Sequence, residues 1–157
     1  MRIELIHPML VHFPLALLLI GAALRFIFFF AGRKRFARYI LVSSWILLFL
    51  GVCFAWITAI AGEFAEDIVS GKLCNPEVLE NHMHLAYTAA SLFSIALILD
   101  WGKQLAKKLH YPSNLIKLLT IVYFLLYLSA VIILIFVGKF GGNLVYDQGA
   151  AVENRCK

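Results

Sequence analysis

Ile6-His7-Pro8-Met9-Leu10-Val11-His12-Phe13-Pro14 opens a run that stays apolar as far as Ala31, and the reading of this stretch decides the fold. From Met9 to Ala31 it is long enough to cross a bilayer as a helix, which takes roughly 20 residues. Its only full charge is Arg25. Two histidines and two prolines stand at its mouth, and imidazoles placed where a helix enters a membrane are costly unless something binds them.

Three further apolar segments follow, approximately Ala37 to Ala61, Met83 to Trp101 and Leu115 to Gly138. The 157-residue chain is 62% hydrophobic and 15% charged, with a mean hydropathy of +0.88, whereas an ordinary soluble domain is about 45–50% apolar. The fold expected is all-α, an integral membrane four-helix bundle running up-down-up-down as a single domain over residues 1–157. The first segment lacks a basic leader and is too long for a signal core, so it is expected to stay as the first transmembrane helix.

Charge sets the expected orientation. The connections between the first and second helices and between the third and fourth, with Arg25, hold nine basic residues against the single acid Asp100. The other side holds five basic residues against eight acids, giving +8 and −3 within the net +5. The positive-inside rule then places both termini and the long second loop on the non-cytoplasmic side of a bacterial inner membrane. The basicity reads as a topology signal, since no basic-aromatic nucleic-acid motif accompanies it.

Pro8 and Pro14 are both tolerated in a first helical turn, so the regular helix begins at one or the other. Arg25 is expected to snorkel to the cytoplasmic surface. Gly51, Ala55 and Ala59 form a small-residue stripe on the second helix, read first as helix packing and second as a groove for a flat cofactor. A homodimer is expected to use such stripes. Glu63 to Asn81 is read as the longest polar loop. Its Cys74 pairs with Cys156 if both face an oxidising compartment, while Cys53 is expected to be a buried apolar filler. His82 and His84 are two apart and cannot share a helix face. The ridge Ala86, Ala90, Ser94 favours His82 as the inward one. The glycines from Gly138 onward predict a tail folded back beneath the non-cytoplasmic mouth.

Four of the five histidines, His7, His12, His82 and His84, fall at helix entrances on one side; only His110 lies on the other. One chemistry they fit is haem b, held by imidazoles from the first and third helices as in other helical bundles. His12 and His82 are the expected axial pair. His7 and His84 are expected to support them or to ligate a second haem, with Arg2, Lys72, Lys139 or a tyrosine hydroxyl meeting the propionates. Electron transfer to a redox partner is the function this implies. A second reading is a non-haem copper, iron or zinc site built from those histidines with Glu63, Glu66 or Asp67. A third is a proton-linked transporter or a structural subunit, against which stands the expected lack of charge at mid-membrane. Neither a hydrolase elbow nor a phosphate-binding loop occurs.

The block His7-Pro8-Met9-Leu10-Val11-His12-Phe13-Pro14, the histidine heading the third helix before Leu85, and the closing Gly141-Gly142-Asn143-Leu144-Val145-Tyr146 with Gly149 resemble the bacterial DUF2231 family of predicted four-helix membrane proteins. Some members resemble fusions to Rieske iron–sulfur or cytochrome-like modules, which implies redox work. The resemblance carries over to His7, His12 and His82. The family tail often has a histidine where Gln148 stands here, which takes the tail out of the implied ligand set and leaves His84 as an addition.

Overall fold

A computed structural model describes residues 3–31 and 36–150. It holds a short helix α1 (Ile6–Leu10) and four long ones, α2 (His12–Ala31), α3 (Ala37–Val69), α4 (Pro76–Lys108) and α5 (Ser113–Tyr146). Among the described residues there is no strand. Four spans are long and apolar enough to cross a membrane, α1 and α2 together forming the first.

The break between α1 and α2 falls at Val11, and Pro14 explains it. A proline has no N–H to give to the carbonyl four residues back, here Leu10, and its ring crowds that carbonyl. Helix α4 starts where chemistry supports it. Asn75 caps α4 by accepting the Glu77 amide at 3.1 Å, and Pro76 takes the first helical position, which needs no amide donor. At the far end of α4, His110 adopts φ 59°, and the Tyr111 amide returns to the Ala106 carbonyl at 3.0 Å. That is a left-handed helix stop in which histidine occupies the usual glycine position.

Neighbouring helices pair antiparallel. Leu18 meets Gly51 while Gly21 meets Leu48. Trp45 reaches Asp100 while Trp56 reaches Ser94. Lys103 reaches Tyr123 while His82 reaches Val137. The core is a single cluster of Leu18, Ala22, Leu48, Phe93, Tyr127, Leu134 and their neighbours. A Cβ on Gly51 would stand 2.7 Å from the Leu18 side chain, and one on Gly21 2.9 Å from that of Leu48. The two glycines are what let α2 and α3 close on each other. Large apolar side chains such as Ile20, Phe30, Ile57, Ile98 and Ile135 lie on the outside, as expected where the solvent is lipid.

Several expectations are corrected. The helices run past their expected ends: α3 continues to Val69, α4 begins at Pro76, and α5 continues to Tyr146. Most of the supposed Glu63–Asn81 loop is therefore helix, and the tail does not fold back at Gly138. Glycine inside a helix costs only about 1 kcal/mol, and packing against α4 offsets it. At 33 or 34 residues, each of these three helices is roughly 50 Å long against a hydrocarbon core of about 30 Å. Arg25 does not snorkel; it is 1% exposed and paired with Asp100. Charge is therefore present inside the bundle, contrary to expectation. Cys53 is exposed, on the face of α3 that also carries Phe49, Leu50 and Ile57. Cys156, and with it the expected bond to Cys74, lies outside the described residues.

Candidate functional site

One end of the bundle opens into a cavity of about 380 Å³, walled by all five helices and within the size range of small-molecule and cofactor sites. His7 enters from α1 and His82 from α4. Their ring centroids are 6.2 Å apart and their planes stand at 88°.

Each imidazole is held in the same way. His7 Nδ1 lies 2.9 Å from the Thr58 carbonyl, and His82 Nδ1 lies 3.1 Å from the Val137 carbonyl. A carbonyl can only accept, so each Nδ1 carries the proton and donates it, leaving each Nε2 with a free lone pair. Thr58 and Val137 are already the helical acceptors for residues four further on, which are Gly62 and Gly141. Both positions are tight: a Cβ on Gly62 would stand 3.0 Å from His7 Nδ1, and one on Gly141 3.1 Å from His82 Cε1. The carbonyl is reachable because the residue one turn later has no side chain.

The remaining walls are apolar and small, with Ala55, Ala59, Ala86 and Ala90 among them, and Leu18 and Leu134 at the inner limit. The Thr58 hydroxyl is buried without a hydrogen-bond partner. The rim is acidic. Glu4, Glu63 and Glu66 line it, and the Tyr87 hydroxyl donates to Glu63. Gln148, itself buried, accepts the Asn75 amide at 3.0 Å and donates to Asn143 at 3.1 Å, so the end of α5 clamps the short link into α4.

The four expected histidines are treated unequally. His7 and His82 are brought together. His12, the residue directly after the break, is exposed at the cavity wall. His84 points away, 77% exposed and 3.6 Å from Glu80. Of the basic groups expected at the mouth, Lys72 and Lys139 are exposed and are not among the wall residues; Arg2 lies outside the described residues. Tyr87 and Tyr146 are on the walls. Among the described residues, no three or more His, Cys, Asp or Glu side chains converge as metal ligands. The small-residue stripe of α3 is used within the chain, Gly51 against Leu18 and Ala55 and Ala59 at the cavity.

Sequence reading missed the paired glycines. Gly62 looked like a helix end and Gly141 like part of a turn, because the histidine each one admits is far away in sequence. Gly62 and Gly141 are 55 and 59 residues from His7 and His82, and such distances carry no periodic signal.

No curated protein and no solved structure matches the chain. A family model does, over residues 4–154, a range that contains both histidines, both glycines and all four spans. The chain belongs to the DUF2231 family of predicted membrane proteins.

Proposed function

We propose that the cavity binds a b-type haem, with His7 and His82 as its two axial ligands, and that the protein passes electrons. The observation that carries this reading is the imidazole pair. Their ring centroids are 6.2 Å apart, near enough for both imidazoles to reach one metal at the usual metal–nitrogen distance of about 2 Å. Backbone carbonyls fix both Nδ1 protons, an arrangement that orients metal-bound histidines and raises their basicity.

Other residues fit the group in part. The alanine walls offer flat apolar surface, and the unpartnered Thr58 hydroxyl can donate to a bound group. Among the described wall residues there is no Lys or Arg to meet the propionates, and the Tyr87 hydroxyl is already given to Glu63. A bound haem would supply one-electron chemistry; the apolar walls keep water from its faces, and the two carbonyls hold the ligands in place. The charge asymmetry supports a cavity facing the periplasm, with both termini outside an inner membrane.

The test is an absorption spectrum of detergent-purified protein, expressed with ample haem, oxidised and then dithionite-reduced. A Soret band that sharpens on reduction with new α and β bands is expected. A featureless spectrum would overturn the reading.

A further inference from the structure

The opposite half of the bundle holds a second polar site that the histidine cavity does not reach. Arg25, Asp100 and Lys103 are 1%, 0% and 4% exposed. They come from α2 and α4, and Trp45 of α3 and Tyr123 of α5 complete the group. With its one carboxylate and two cations ionised, the cluster carries one unit of positive charge in excess. An uncompensated charge buried at membrane depth is strongly unfavourable.

The hydrogen bonds show what is missing. Asp100 is filled: Arg25 donates to Oδ1 at 2.5 Å, Lys103 lies 3.5 Å from the same oxygen, and Trp45 donates to Oδ2 at 2.9 Å. The Tyr123 oxygen receives Arg25 at 3.2 Å and Lys103 at 2.8 Å. Yet Arg25 Nε and Nη1 are buried with no partner, as is the Tyr127 hydroxyl. Aromatic rings of Phe28, Tyr123 and Trp45 lie 5.1, 5.2 and 6.0 Å from the guanidinium carbon. Their faces attract the cation but carry no net charge to cancel it. The unfilled positions on Arg25 are donors only. What the site lacks is an acceptor with a negative charge, a role that water fills only in part.

We propose that the Arg25–Asp100–Lys103 cluster binds one small monovalent anion of halide size, held by the free N–H groups of Arg25 and balanced by Lys103. Near-complete enclosure restricts the class to small inorganic anions that can shed their water.

The test is thermal unfolding of the full-length protein in detergent, with potassium gluconate exchanged for potassium chloride at constant ionic strength. Wild type should rise with the logarithm of the chloride concentration, by roughly 5 °C at about 100 times the dissociation constant. Lys103→Met leaves the Arg25–Asp100 pair neutral, so its midpoint should not respond to chloride. A wild-type midpoint indifferent to the anion would overturn the proposal, and so would an equal response in Lys103→Met. If that variant does not fold, equilibrium dialysis of wild type against radiolabelled chloride decides: one bound per chain is expected, and none overturns it.

Discussion

The imidazole centroids of His7 and His82 lie 6.2 Å apart with the ring planes perpendicular, though 75 residues separate them in the chain. Both rings rest on a helical carbonyl exposed by a glycine one turn later. Two unrelated helix pairs, α1 with α3 and α4 with α5, arrive at the same local solution. In each case the hydrogen bond uses Nδ1 and leaves Nε2 as the nitrogen with the lone pair.

The first prediction separates the histidines. His7→Ala or His82→Ala should remove the Soret absorbance of the purified protein, while His12→Ala and His84→Ala should retain it. Absorbance per milligram of protein, set beside thermal unfolding to confirm a folded bundle, makes the comparison. Retention of haem by both of the first two variants would defeat the axial assignment.

A second prediction concerns the glycines. Gly62→Ala and Gly141→Ala put a methyl group 3.0 and 3.1 Å from the imidazoles, displacing the rings without touching the ligand atoms. Haem titration should show affinity reduced about 10- to 100-fold, the usual scale for groups that orient metal ligands. Gly102→Ala, where a Cβ meets nothing, is the control and should bind as wild type does.

The buried pair gives a third prediction. Asp100→Leu leaves Arg25 without a carboxylate and should cost about 3–5 kcal/mol, while Arg25→Leu, which leaves Asp100 beside Lys103, should cost less. The double variant should cost clearly less than the sum of the two. Unfolding in mixed detergent, analysed as a double-mutant cycle, measures the difference; additive losses would mean that the two side chains do not stabilise each other.

His110 provides a fourth. Its φ of 59° is a conformation that costs a non-glycine residue roughly 1–2 kcal/mol, and its side chain is exposed. His110→Gly should raise the unfolding midpoint by about 2–4 °C. A lower midpoint would show that the imidazole makes a contact worth more than the strain.

Orientation is open to a fifth, direct measurement. In a Cys53→Ala background, Tyr111→Cys lies in the short α4–α5 link and should react with a membrane-impermeant maleimide only after cells are opened. Lys72→Cys, at the cavity end, should react in intact cells. The reverse pattern would place the cavity in the cytoplasm.

Much of this fold is legible in the sequence because lipid imposes a single rule: backbone polar groups must be satisfied within each span. Four apolar runs therefore announce four helices. Their ends were harder to read, since Glu63, Glu66 and Asp67 are as acceptable in a helix beyond the hydrocarbon as in a loop. The cavity end was legible as a gathering of histidines, and His82 over His84 followed from helical spacing. That His7 and not His12 lies beside His82 did not, because the carbonyl that holds His7, that of Thr58, is 51 residues away in the chain. Arg25 was misread for a related reason. A lone arginine near a helix end looks free to reach the surface until Asp100, 75 residues away, is brought beside it.

That pairing has a consequence for how the protein is made. Arg25 leaves the ribosome well before Asp100, so the first helical hairpin enters the bilayer with its guanidinium unmatched, at a penalty below the roughly 2.5–3.5 kcal/mol of a charge at the centre of a span. The dense leucine and phenylalanine content of α2 outweighs this during insertion. Only when the second hairpin docks does the charge find its carboxylate. The same arginine that hinders insertion then becomes the register pin between the two halves, rewarding the alignment in which Trp45, Asp100 and Tyr123 meet.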